Sequence, residues 1–405
     1  MNPLEEKDDQ SNSYQYEISG WEDENLSLDA KLLRGIFAYG FEKPSSIQIK
    51  SLYPFTKQPP RDIIAQAQSG TGKTGAFVVG ILQIISKIGY NIKKDVKTRA
   101  LILAPTHELA KQSKDVLDRI GLYMKIKSQL LVGGTSVEGD KQLLIEDTPH
   151  VVIGTPGRVH DMLRRKYLNS RHINILVIDE ADEMLSTGFK EQMYKIFQFM
   201  PNDIQIGLFS ATMPTDLQEL TTKFLRRPIK ILVKAEMLTL QGIAQYYINL
   251  DDDVQKYETL KDLFSSLSIS QAIIYCNSTR RVDDLCDAMV SDQFPVKKIH
   301  GRMPEDERKT THSEFKSGGC RVLITSDLFA RGIDVQQVSI VINFDIPKNE
   351  HTYLHRIGRS GRWGRKGIAI NFQTKHDAAQ LKKFEEYYST QIAELPADYT
   401  KHLDM

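Results

Sequence analysis

The segment IIAQAQSGTGKTGAFVVGILQII, residues 63–85, sets three signals in an order that decides the fold. The apolar run at Ile63, Ile64 and Ala65 reads as a buried strand. It passes into a loop of glycines and small hydroxyl residues, and then into an apolar run long enough for a helix. A buried strand feeding a helix in this way is the repeating unit of a parallel sheet. Ligands of such sheets sit beyond the carboxyl ends of the strands.

The loop AQSGTGKT, residues 67–74, has the spacing of a phosphate loop, with Ala67 where the usual pattern has its first glycine. Gly70 and Gly72 let backbone N–H groups turn toward phosphate oxygens along Gln68, Ser69 and Thr71. The following helix adds its N-terminal dipole. Lys73 reaches the outer phosphates, and the Thr74 hydroxyl can hold Mg²⁺.

A second stretch, NILVIDEADEML (174–185), ends an apolar run in four carboxylates: Asp179, Glu180, Asp182 and Glu183. In a parallel sheet this run ends on the same edge as the phosphate loop. Asp179 then faces Mg²⁺, directly or through water, and Glu180 faces the water that attacks a γ-phosphate. Glu183 also fits a plain helix start, where a carboxylate offsets the dipole.

Further strands read outward from these two: RDIIAQA, RALILAP, HVVIGTP and QIGLFSA join NILVIDE in a first series. A second series begins near Gln245 with AIIYCNS, VKKIHGR, RVLITSD, SIVINFD and GIAINFQ. The 405 residues are too many for one ordinary core. The division expected is an acid-rich tail over 1–20, a first domain over 21–232, a linker over 233–242 and a second domain over 243–405. A net charge of +1 means that any polyanion must meet a local basic surface. The three cysteines lack CxxC spacing, which suits a reducing compartment rather than a disulfide or zinc framework. No apolar stretch nears 18 residues and no signal-peptide pattern opens the chain, so a soluble intracellular protein is expected.

Nine motifs in order make the chain similar to the DEAD-box RNA helicases over residues 21–396. Besides AQSGTGKT and DEAD they are YGFEKPSSIQ, PTHELA, GGT, TPGR, SAT, ITSDLFARGIDV and HRIGRSGR. The resemblance implies an α/β fold of two tandem RecA-like parallel-sheet domains joined by a short linker. It also implies Mg²⁺-dependent ATP hydrolysis coupled to local opening of RNA. By the same resemblance Gln48 and Phe41 meet adenine, Asp334 meets the ribose, and Arg359 and Arg362 reach the γ-phosphate from the second domain. Asp182, Ser210, Thr212 and His355 couple the domains. RNA lies along Pro105, Thr106, His107, Gly133, Gly134, Thr155, Gly157, Arg158, Thr325 and Ser326, groups that bind phosphate and sugar and carry little sequence information.

Trp21 stands near the family's upstream aromatic and either contacts adenine or pins the tail to the core. His107, Arg302 and Gly75 depart from the family's usual Arg, Asp and Ala. Gly75 costs up to about 1 kcal/mol of helix stability. The motif wording leans toward the translation-initiation members. That implies a cytoplasmic monomer outside complexes, with a cap-complex scaffold of the initiation factor 4G type as partner. The alternative is a nuclear RNA clamp of the exon-junction type, built on the same residues.

Overall fold

The computed structural model describes residues 18–67, 70–88, 96–186, 188–232, 243–266, 270–327, 338–360, 367–396 and 398. Two seven-stranded sheets carry the fold, and every strand pairing in them is parallel. The first is built from β1 (Ile63–Gln66), β2 (Ala100–Leu103), β3 (Ser128–Leu131), β4 (Val151–Gly154), β5 (Ile175–Ile178), β6 (Gln205–Ser210) and β7 (Ile229–Leu232). The second comprises β8 (Ile243–Asn249), β9 (Ala272–Tyr275), β10 (Val296–Ile299), β11 (Val322–Thr325), β12 (Ile340–Asn343), β13 (Gly367–Gln373) and β14 (Ala393–Glu394). The strand order is β3-β4-β2-β5-β6-β1-β7 in one and β10-β11-β9-β12-β13-β8-β14 in the other. Adding seven to each number of the first order gives the second, so the chain is a structural repeat.

All ten strands expected from sequence are present. The four not foreseen are β3, β7, β8 and β14. Three of them are edge strands, where solvent on one side breaks up the apolar run that marks a central strand. β3 shows this as an alternation of half-buried and buried residues. β2, β4, β5 and β6 are buried at every position. Successive residues of a strand feed opposite faces: Ile63 and Ala65 join the core that holds Phe77 and Phe209, whereas Ile64 joins the one that holds Met184 and Leu208. Helices therefore cover both faces. Of the expected tail, Ile18 is described and buried, and it packs in the first core with Trp21. All three cysteines are buried and free. Among the described residues no helix is long and apolar enough to cross a membrane.

His150 closes the amino end of β4. Its Nδ1 accepts the Lys127 N–H at 3.0 Å, and the ring is buried. Burial first, then the charges of Lys127 and Arg99, hold its pKa below the ordinary imidazole value. The folded state keeps this ring neutral while the unfolded chain takes up a proton. Stability from this group is therefore present above the ordinary imidazole pKa and lost as pH falls through it. In His150→Asn the amide oxygen can take over the acceptor role without titrating. Its melting temperature should fall less than the parent's between pH 7.5 and 5.5, as read by thermal denaturation. Parallel declines would clear His150 of any part in acid sensitivity.

Candidate nucleotide and nucleic-acid site

The carboxyl edges of β1, β5 and β6 lie side by side and bring the loop and the acids together. β1 pairs with β6, and β6 with β5, so residues just past Gln66, Ile178 and Ser210 share one rim. Lys73 opens the helix Lys73–Ile88, and its Nζ lies 3.1 Å from Glu180 Oε1 and 3.2 Å from Oε2. Both side chains are buried. Glu180 holds a left-handed backbone conformation, φ +46°, where strand turns to helix within two residues. Such a conformation costs an L-residue about 1–2 kcal/mol. The Glu180 N–H donates to Asp179 Oδ1 at 3.0 Å.

Asp179 is 3% exposed. Burial, and then the neighbouring Glu180 charge, push its pKa up to about 7 against the pull of Lys73. A carboxylate held this way favours a cation beside it. Among the described residues no three His, Cys, Asp or Glu groups form a ready-made metal cage. Mg²⁺ keeps several waters and takes one or two carboxylates plus phosphate oxygens. Asp179 and Thr74 fit that demand.

A cavity of about 330 Å³ opens over this edge, with Phe41, Gly72, Lys73, Thr74 and Glu180 on one wall and Arg359 of the second domain on the other. Gly70 and Gly72 have φ of +84° and +102°. A Cβ at Gly72 would also lie 2.8 Å from Ser45 Oγ, so both backbone and space require glycine there. Gln48 locks the segment GFEKPSSIQ to the loop. Its Oε1 accepts the Ser45 N–H at 2.7 Å, and its Nε2 donates to the Gly72 carbonyl at 3.2 Å. Ala67 donates its N–H to the Ser210 carbonyl at 3.0 Å. Thr71 also belongs to the described part of the loop. Gln68, Ser69, Asp334 and Arg362, and the linker 233–242, lie outside the described residues.

Trp21 does not line this cavity. It is 2% exposed and stacks behind Phe41, with ring centroids 6.1 Å apart and planes at 11°. Of the two readings left open by the sequence, the structure favours the pin.

Gly75 now has a reason. A Cβ there would lie 2.5 Å from Gln48 Nε2 and 2.8 Å from Phe41 Cε2. Gly75→Ala should gain helix propensity yet weaken ATP binding about tenfold, because overpacking costs on the order of 1–3 kcal/mol. Titration with a fluorescent ATP analogue checks this; parental affinity would mean that Phe41 and Gln48 yield without cost.

The expected coupling group assembles around one carboxylate. Thr212 Oγ1 donates to Asp182 Oδ2 at 2.6 Å, and His355 Nε2 of the second domain lies 3.3 Å from the same oxygen. The Asp182 N–H donates to Ser210 Oγ at 3.2 Å. All four side chains are buried. Arg359 is buried too, and its Nε donates to the His355 carbonyl at 3.3 Å.

The nucleic-acid candidates line the rim beyond β2, β3 and β4, the other half of the first sheet. Pro105, Thr106 and His107 follow β2, Gly133 and Gly134 follow β3, and Thr155 with Gly157 follows β4. The Thr106 hydroxyl caps the helix His107–Ile120 by accepting the Leu109 N–H. The His107 ring lies against Gly133. Two of the expected residues are engaged inside the protein. The Arg158 guanidinium is spent inside the protein, on Asp140 and on the Thr135 carbonyl at 2.8 Å, so it braces the Gly133–Gly134 turn rather than facing solvent. Thr325 is fully buried and donates to the Ser326 carbonyl at 3.1 Å, so its hydroxyl presents nothing at the surface.

Sequence reading missed two features. Arg308 reaches across the domains to Glu108 at 3.2 Å, a pair separated by 200 residues that no local pattern marks. Arg356 is fully buried and holds Asp327, Asn343, Asn277 and the Asp345 carbonyl, an internal brace instead of a third arginine for phosphate.

The chain matches the DEAD/DEAH box helicase model over residues 45–220 and the helicase conserved C-terminal domain over 255–364. It is 52% identical over 373 residues to eukaryotic initiation factor 4A of Caenorhabditis elegans, covering 92% of this chain and 90% of that one. It is likewise 52% identical to the ATP-dependent RNA helicase eIF4A of Pyricularia oryzae, over 92% of each. Among solved structures it resembles S. cerevisiae Dbp5 bound to RNA and ADP BeF3, with a TM-score of 0.85, 35% identity, and 94% and 97% of the two chains covered.

Proposed function

Because this chain belongs to the DEAD-box helicase family, we propose that it hydrolyses ATP to open short RNA duplexes and does so in translation initiation. One observation carries the chemistry: Lys73, Asp179 and Glu180 on the first domain face Arg359 on the second across a single cavity. Each half alone lacks what the other supplies.

The groups divide the work. The turn around Gly70 and Gly72 binds phosphate oxygens. Lys73 has two claims on its ammonium, the Glu180 carboxylate and the outer phosphates. A triphosphate in the loop competes for Lys73 and releases Glu180 to orient the attacking water and take its proton. Arg359 offsets charge that builds on the transferred phosphoryl group, a role worth about 10³–10⁵ in rate in enzymes of this kind. Asp179 and Thr74 would hold Mg²⁺, which when bound neutralises phosphate charge. The buried contact of Asp182 with Thr212 and His355 makes hydrolysis depend on the two domains being together.

RNA along the rim of Pro105, His107, Gly133, Gly134 and Thr155 is held by its backbone, so recognition is nearly blind to sequence. Identity of about half over nearly the whole of relatives called initiation factor 4A supports the translation role over a nuclear clamp. With that role we propose a scaffold partner of the initiation factor 4G type and a place in the cytoplasm. Capture from extract with tagged chain, read by mass spectrometry, tests this part. Recovery of exon-junction proteins in place of a cap-complex scaffold would reassign it.

Glu180→Gln should retain nucleotide affinity while single-turnover hydrolysis drops by about 10²–10⁴, the range for loss of a positioned base. Lys73→Ala should lose affinity instead. Undiminished hydrolysis in Glu180→Gln would remove Glu180 from the mechanism.

A further inference from the structure

The two sheets repeat each other closely enough to compare loop by loop. β3 and β4 correspond to β10 and β11, and their registers match at the carboxyl rim: Leu131 pairs with Gly154 and Ile299 with Thr325. Thr106, three residues past β2, caps the next helix; Ser278, three residues past β9, caps its counterpart Thr279–Ser291. The same count places Gly133 and Gly134 opposite Gly301 and Arg302. A turn of the second sheet thus stands where the first sheet carries two of its RNA candidates, and it bears a guanidinium.

That turn is firmly held. The Met303 N–H donates to the His300 carbonyl at 3.1 Å, and the Arg302 N–H donates to His300 Nδ1 at 3.3 Å. With Nδ1 accepting, Nε2 carries the proton and donates to Asp283 Oδ1 at 3.0 Å. Arg302 itself is exposed and, among the described residues, its side chain pairs with no carboxylate.

The turn also lies close to the first domain's rim. It leads into the helix Glu305–Lys316, whose Arg308 pairs with Glu108. Glu108 follows His107, and the His107 ring lies 3.5 Å from where a Gly133 Cβ would stand. Gly133, His107 and the Glu108–Arg308 pair thus bring the first domain's rim to the helix that follows Arg302.

Resting on the RNA reading above, we infer that Arg302 is an RNA-phosphate ligand that carries the backbone track of Gly133, Gly134 and Thr155 across into the second domain. A guanidinium offers two parallel N–H donors to a phosphate and stays charged at any physiological pH. No base edge is involved, so the contact adds affinity and salt dependence but no sequence preference.

The test measures binding of a labelled oligouridine to the full chain with a nonhydrolysable ATP analogue, across a series of KCl concentrations. Arg302→Ala should bind about two- to fivefold more weakly near 0.15 M salt, as for an exposed ion pair. Its log–log salt slope should be shallower by about 0.7, one phosphate neutralised on a single strand. Arg302→Lys should keep the parental slope, and Arg302→Asp should bind more weakly than the alanine variant. Arg171→Ala, an exposed cation at the opposite rim ahead of β5, should match the parent. A parental slope and affinity in Arg302→Ala, with the parent binding RNA, would overturn this contact alone. Failure of the parent to bind RNA would overturn the RNA reading and this inference with it.

Discussion

Four carboxylates within five residues, all buried, are the constraint around which the first domain is arranged. Ionised carboxylates packed together without partners are costly enough to unfold a domain. The fold answers by giving them different neighbours. Glu180 has the Lys73 ammonium. Asp182 has the Thr212 hydroxyl and, from the second domain, His355. The Glu183 N–H binds back to Asp182 Oδ1 at 3.1 Å. Asp179 accepts the Glu180 N–H, yet burial and the Glu180 charge push its pKa up to about 7. Asp179, raised in this way, lines the phosphate cavity, so the electrostatic cost of the cluster is placed where a metal and a triphosphate can use it.

The central part of this was legible in the sequence. Buried parallel strands must be apolar throughout, and both the phosphate loop and the acid run have local spacing. What escaped has a physical reason in each case. Edge strands such as β3 and β7 are half solvated, so their composition does not mark them. The Arg308–Glu108 pair depends on how two domains meet, and no window of sequence contains both ends. Arg158 and Arg356 stand in motifs that suggest anion contacts, yet each is absorbed by acids or carbonyls of its own domain. The motif type names the residue; only packing says whether its donors are already spent.

The repeat makes the division of labour between the sheets intelligible. Past β1 the chain enters a glycine loop with a lysine. Past β8, the matching strand, it enters Asp251, Asp252 and Asp253. Three acids at that position repel phosphate, so the second domain has no phosphate loop of its own. Asp253 instead pairs with Arg281, which also holds Asp345 at 2.7 Å. Residues that cradle a nucleotide in one copy have become internal ties in the other.

The second domain contributes instead from the helix Glu350–Ile357, whose last turn and the residues after it carry His355 and Arg359. His355 reaches Asp182 with its ring while its carbonyl accepts from Arg359. The same residue thus links the acid cluster to the arginine that lines the cavity. If the domains separate, Asp182 loses a partner and the cavity loses its only described cationic wall in the second domain apart from Lys316. Both losses come from one movement. Coupling between nucleotide and domain closure therefore needs no relay through the core: it follows from a buried carboxylate and a phosphate site that are completed by two residues four apart at one helix end.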